Sequence, residues 1–136
     1  MLAIITGASR GIGLETVKEL AKNSQLLVIA VSRNPVSLEK LQKQNNLLNV
    51  LPLKADISTA KGRAQVQAVV KRLQMPVQIL INNAGMLLKK DFSKITEKEL
   101  QSVYSGNVFA PFLLSQTLLP QFAKHAHIVN ISSMGG

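Results

Sequence analysis

An apolar run, Leu2-Ala3-Ile4-Ile5, breaks into Thr6-Gly7-Ala8-Ser9-Arg10-Gly11-Ile12-Gly13, and a helix-patterned segment follows at once. In order this is a strand, a glycine turn and a helix N-terminus. Glycines let backbone N–H groups approach an anion, and a helix N-terminus adds unpaired donors and a favourable dipole. A dinucleotide pyrophosphate requires that arrangement. Taken alone, the spacing of Gly7, Gly11 and Gly13 serves tight helix packing equally well, so the rest of the chain has to decide.

After the turn, Leu14, Val17, Leu20 and Ala21 recur at helical spacing, which lets a first helix lay one face on a sheet. Gln25 to Val31 reads as a second buried strand. Asn34-Pro35 supplies an N-cap and a proline at the first helical position, with Leu38 and Leu41 as the inner stripe of a short helix ending near Asn45-Asn46. Leu47 to Leu53 gives a third strand. Ser58 is placed to cap a helix whose Val66, Val69, Val70 and Leu73 make the clearest amphipathic stripe in the chain. Val77 to Ile81 is apolar without alternation, as expected of a parallel strand covered on both faces. Thr96 and Glu99 form a capping box for a long helix reaching about Ala123, and Ile128 to Ile131 gives a fifth strand. The alternation predicts an α/β fold with a doubly wound, Rossmann-like parallel sheet in the order 3-2-1-4-5. Its ligand is expected at the carboxyl ends of the strands.

The 136 residues are 46% hydrophobic, enough for one domain over residues 1–136 and too few for a second. No apolar run approaches the roughly 20 residues of a membrane span, and no basic leader precedes an apolar stretch, so no membrane partner is expected. The absence of cysteine excludes disulfides and thiol catalysis and fits a reducing, cytoplasmic setting. An excess of 16 Lys+Arg over 7 Asp+Glu gives a net charge of +9. Those charges are spread from Arg10 to Lys124 without a long basic run or a nucleic-acid motif, so no nucleic acid is expected either. His125 and His127 have no third ligand in view and read as solvated residues at a loop junction, with no metal implied.

Asn107 lies four residues after Val103 and seven after Leu100, on a helix face expected to bury apolar side chains. A polar group there must have a partner. Pro111, four residues on, has no N–H, which in an ordinary helix frees the Asn107 carbonyl for another donor. The two residues are therefore expected to interrupt the long helix.

Five marks then fall in order along the chain. They are Thr6-Gly7-x-x-x-Gly11-x-Gly13 after the first strand, Asp56 after the third, Asn82-Asn83-Ala84-Gly85 after the fourth, Asn107 within the long helix, and Ile131-Ser132-Ser133 after the fifth. In these marks the chain resembles the short-chain dehydrogenases/reductases over nearly its whole length. The resemblance implies cofactor contacts from Gly7, Ser9, Arg10, Gly11, Ile12 and Gly13 in the turn, from Asp56 and Ile57 at the adenine ring, and from Asn82, Asn83, Ala84 and Gly85 along the riboses. It implies two catalytic groups, a Ser133 hydroxyl bonding the substrate oxygen and an Asn107 carbonyl supporting, through water, a proton relay to a lysine. Read from the residues alone, Asp56 also serves the turn before Ser58, Asn82-Asn83 a strand-end turn, and Ser132-Ser133 a turn or cap.

The family's Tyr-x-x-x-Lys, about a dozen residues beyond the serine and the carrier of proton transfer, does not occur in these residues. Tyr104 precedes Ser133 and belongs to the long helix. The expectation is a chain truncated after its fifth strand, lacking the C-terminal strands, helices and substrate loop, and inactive by itself. The full-length form is expected to be an NADP(H)-dependent oxidoreductase acting on a small-molecule carbonyl or alcohol. The helix around Leu113 to Leu119 is implied as a homo-oligomer surface. The alternative is a non-catalytic dinucleotide-binding or scaffolding module that ends at Gly136.

Cofactor choice is read at the end of the second strand. NAD-preferring proteins of such folds carry an acidic residue there, whose carboxylate holds the ribose hydroxyls and repels a 2′-phosphate. This chain has Ser32-Arg33 instead, with Arg10 in the glycine turn positioned to approach the same group. Two guanidiniums and a hydroxyl suit the 2′-phosphate of NADP(H).

Overall fold

The computed structural model describes residues 1–44 and 46–132. Among them, parallel strands β1 (Leu2–Thr6), β2 (Leu27–Ser32), β3 (Val50–Lys54), β4 (Val77–Asn82) and β5 (Phe122–Asn130) form one sheet in the order β3-β2-β1-β4-β5. The connecting helices are α1 (Gly11–Ala21), α2 (Val36–Gln44), α3 (Ala60–Leu73), α4 (Glu97–Tyr104) and α5 (Ala110–Leu118). This is the doubly wound arrangement expected from the sequence. The chain winds outward from β1 to β3 and then returns across β1 to β4, so a crevice opens where the connections leave β1 and β4 in opposite directions.

Alternation within the central strands divides the core into two layers. Leu2 and Ile4 of β1 join Ile29 and Val31 of β2 against Val66 and Val70 of α3 and Ala110, Leu114 and Leu118 of α5. On the other face, Ala3, Ile5, Val28 and Ala30 meet Val17 and Ala21 of α1 and Leu38 of α2. Each large side chain buried this way contributes roughly 1.5–3 kcal/mol relative to exposure, which is why both faces of β1 and β2 read as continuous apolar runs.

Several boundaries differ from the sequence expectation. The cap of α3 is Thr59 rather than Ser58: its Oγ1 accepts from the Gly62 N–H, while Ser58 Oγ donates to Asp56 Oδ1. β2 begins at Leu27, after a turn in which Asn23 Oδ1 accepts from the Gln25 N–H, and β3 begins at Val50. Val36 N–H donates to Asn34 Oδ1, so the expected cap serves α2, which ends at Gln44; Asn45 lies outside the described residues.

The long helix does not reach Ala123. It is α-helical through Tyr104, π-helical from Ser105 to Phe109 and α-helical again from Ala110 to Leu118, an interruption around Asn107 and Pro111 as the sequence predicts. Pro120 then ends it, because a proline ring crowds the preceding turn and supplies no N–H. Leu119–Gln121 is a single 3-10 turn, and the backbone is extended over Phe122–Asn130. β5 pairs with β4 first at Phe122 and, after a register shift, regularly from His127 to Asn130. His125 and His127 therefore lie on a strand rather than at a loop junction, and both are exposed.

Candidate functional site

Two left-handed glycines shape the turn after β1, Gly7 at φ +66° and Gly11 at φ +54°. A Cβ on Gly7 would come within 2.7 Å of the Ala84 Cα, so the end of β1 and the segment after β4 touch there through bare backbone. A Cβ on Gly13 would collide with the Gly7 carbonyl and the Asn83 side-chain amide, which makes Gly13 a packing residue beneath the turn. Gly11 meets nothing within 4 Å, and only its backbone conformation demands glycine. Arg10 precedes α1 in an extended conformation and its side chain makes no capping bond. The first N–H groups of α1 thus keep their donor capacity for a ligand.

The carboxyl ends of β1 and β4 are locked together by Thr6 and Asn83. Thr6 is fully buried, and its Oγ1 accepts from the N–H groups of Asn83 at 3.1 Å and Ala84 at 3.0 Å. Asn83 returns the bond, its Nδ2 donating to the carbonyls of Thr6 and Gly7, each at 3.1 Å. Sequence reasoning placed Thr6 in the turn motif without a role. The available signal was a hydroxyl at the buried end of an apolar strand, where it must find partners.

Around this lock lies a groove of about 860 Å³. The turn contributes Gly7, Ser9, Arg10, Gly11 and Ile12; the end of β2 contributes Ser32 and Arg33; the segment after β3 contributes Asp56 and Ile57; and the segment after β4 contributes Asn83, Ala84, Gly85 and Met86. Ser37 Oγ donates to the Ser9 carbonyl at 2.6 Å and holds the turn against α2. Ser32 is only 5% exposed, and its Oγ has no hydrogen-bond partner among the described residues. Arg10 and Arg33 are exposed and make no ion pair with a described carboxylate. Asp56 Oδ1 accepts from the Ser58 N–H and Oγ, the turn role also foreseen for it, and its second oxygen has no partner among the described residues.

Asn82 and Asn107 stand outside the groove lining. Asn82 is buried and its Nδ2 donates to Asn130 Oδ1 at 2.9 Å, joining the ends of β4 and β5; its own Oδ1 has no partner among the described residues. Asn107 is exposed rather than on a buried face, because the neighbouring Leu100, Val108 and Phe109 are also exposed and α5 buries its apolar side only from Ala110 onward. Its partner is the backbone of Met86, to which it makes two bonds. Ser133 lies outside the described residues. At the start of α4, the pKa of the Glu99 carboxyl is lowered from 4.5 to about 2, first by its bonds from Lys90 and then by those from the Thr96 N–H and hydroxyl. No helix among the described residues is long and apolar enough to cross a membrane.

The family model described as short chain dehydrogenase matches residues 1–136. L-xylulose reductase of Caenorhabditis elegans is 33% identical over 135 residues, which is 96% of this chain and 52% of that protein. Ketoacyl reductase HetN of Nostoc sp. is 31% identical over 140 residues, covering 98% of this chain and 47% of that protein. Among solved structures, an NADPH-bound carbonyl reductase from chicken fatty liver superposes with a TM-score of 0.86 at 31% identity, covering 98% of this chain and 57% of that one. The chain spans about half the length of the curated relatives it matches.

Proposed function

The chain belongs to the short-chain dehydrogenase family, and from that premise we propose that it is the cofactor-binding part of an NADP(H)-dependent oxidoreductase acting on a small carbonyl or alcohol. The observation that carries the cofactor choice is Ser32. A serine that is 5% exposed, lines the groove and has a buried hydroxyl without a partner among the described residues is costly unless a ligand engages it. Arg33 and Arg10 line the same groove without a carboxylate partner among the described residues, and no acidic side chain stands at the end of β2 to repel a 2′-phosphate. The NADPH in the chicken relative's structure supports the same choice.

In this reading the pyrophosphate rests on the Gly7–Gly13 turn, where the left-handed backbone at Gly7 and Gly11 and the uncapped N-terminus of α1 give it backbone donors. Asp56 and Ile57 face the adenine, and Ala84 and Gly85 let the riboses pass close to the backbone. When bound, the nicotinamide supplies or accepts the hydride. Asn107 steadies the Gly85-Met86 backbone beside it, and Ser133 hydrogen-bonds the substrate oxygen. The proton donor belongs to a Tyr-x-x-x-Lys that these residues do not contain.

Competition binding tests this. NADPH should bind saturably and be displaced by 2′,5′-ADP far better than by 5′-AMP, with Ser32→Ala narrowing the difference. Equal displacement by the two nucleotides would contradict a 2′-phosphate site. In the whole protein, carbonyl-dependent NADPH oxidation should be lost in Ser133→Ala.

A further inference from the structure

The N-terminal turn of α3 carries an arginine where a cation opposes the helix dipole, and Arg63 has no carboxylate partner among the described residues. What holds it is a single guanidinium nitrogen, Nη1, donating to the carbonyls of Ile57 at 2.9 Å and Ser58 at 3.0 Å. The Asp56 carbonyl, just before them, accepts from the Thr59 N–H at 3.1 Å and the Thr59 hydroxyl at 2.8 Å. Gly62 makes this close approach possible, because any Cβ there would strike the Asp56 backbone. Every carbonyl from Asp56 to Ser58 is thereby turned onto α3. Among the groups this segment leaves unengaged by described residues are the Ile57 N–H and the second Asp56 carboxylate oxygen, and both residues line the groove.

We infer that Arg63 is a positioning residue for base recognition: by holding the Ile57 and Ser58 carbonyls away from the groove, it fixes this donor and acceptor in the geometry that reads the edge of an adenine. The inference rests on the proposed NADP(H) reading and adds to it a residue that does not line the groove. An adenine edge offers an amino donor beside a ring acceptor, the complement of a carboxylate oxygen beside an N–H. Hypoxanthine replaces the amino group with a carbonyl and protonates the neighbouring ring nitrogen, so it mismatches both groups. If the Ile57 and Ser58 carbonyls were released, they would be free to turn inward and offer acceptors to either base.

The test is equilibrium binding of NADPH and its hypoxanthine analogue to the wild type, Arg63→Met and Arg63→Lys, with thermal melting to confirm that each variant is folded. The wild type should prefer NADPH by at least about tenfold, as expected for loss of matched polar contacts at a desolvated site. Arg63→Met should bring the two affinities together. Arg63→Lys, which keeps the charge on a shorter side chain, should lie between them and serves as the deciding variant if Arg63→Met does not fold. A wild type that binds both dinucleotides equally, or a folded Arg63 variant that keeps the full preference, overturns the inference while leaving the NADP(H) reading intact. A wild type that binds neither overturns both.

Discussion

Asn107 closes both ends of its side-chain amide on Met86: its Oδ1 accepts from the Met86 N–H at 2.8 Å, and its Nδ2 donates to the Met86 carbonyl at 2.9 Å. The side chain thus completes a strand-like pair with a segment that has no strand neighbour of its own. Asn107 occupies the middle of the π-helical stretch Ser105–Phe109, in which the Ala110 N–H donates to the Ser105 carbonyl five residues back. That widened turn presents the amide to the segment between β4 and α4.

Asn107→Ala removes both bonds and should destabilise the protein by about 1 kcal/mol, the lower end for two hydrogen bonds because the pair is exposed. Asn107→Asp keeps an acceptor for the Met86 N–H but sets a second oxygen against the Met86 carbonyl. It should be no more stable than the alanine variant at neutral pH. Urea denaturation of the three proteins checks the order.

Thr6→Val should be costlier although it preserves shape. The fully buried Oγ1 serves the N–H groups of both Asn83 and Ala84, and valine leaves those donors without it, at about 2–4 kcal/mol for the pair. Thr6→Ser retains the hydroxyl and should recover most of the difference. Denaturant midpoints for the two variants measure it.

The Thr96–Glu99 capping box should make α4 sensitive to acid. Glu99 is held at about 2 in the folded protein against an ordinary 4.5, so its contribution to stability is complete above about 4.5 and is lost as the pH falls through about 2. Lys90 is the largest cause and Thr96 the next. A carboxyl titration followed by NMR should give a low midpoint for Glu99 that rises in Lys90→Met and, by less, in Thr96→Ala. An unmoved midpoint in Lys90→Met would contradict the assignment.

The sheet and its order were legible because each strand and helix announces itself locally, through apolar runs in β1, β2 and β4 and through helical stripes such as Val66, Val70 and Leu73. The glycine turn was legible for the same reason. Pro120 was the missed signal for the end of α5, since apolar residues on both sides of it concealed the break. The exposure of Asn107 was not readable from its spacing after Leu100 and Val103, because burial depends on what covers a helix face and not on the face itself. Arg63 and Gly62 look in sequence like ordinary helix residues; their partners are the carbonyl and backbone atoms of Asp56 to Ser58, which spacing cannot place. Asp56 accepts from both hydroxyls, Ser58 at its carboxylate and Thr59 at its carbonyl, and only that of Thr59 also takes the Gly62 N–H, a difference that spacing cannot show.

In the reading proposed above, the groove between the glycine turn and the end of β2 takes a 2′-phosphorylated dinucleotide through Ser32, Arg33 and Arg10. Parallel titrations of the protein and its Arg33→Asp variant with NADPH and NADH test it most directly. The wild type should favour NADPH by at least about tenfold, or roughly 1.4 kcal/mol, and Arg33→Asp should reverse much of that preference. Equal wild-type affinities for the two dinucleotides would contradict it.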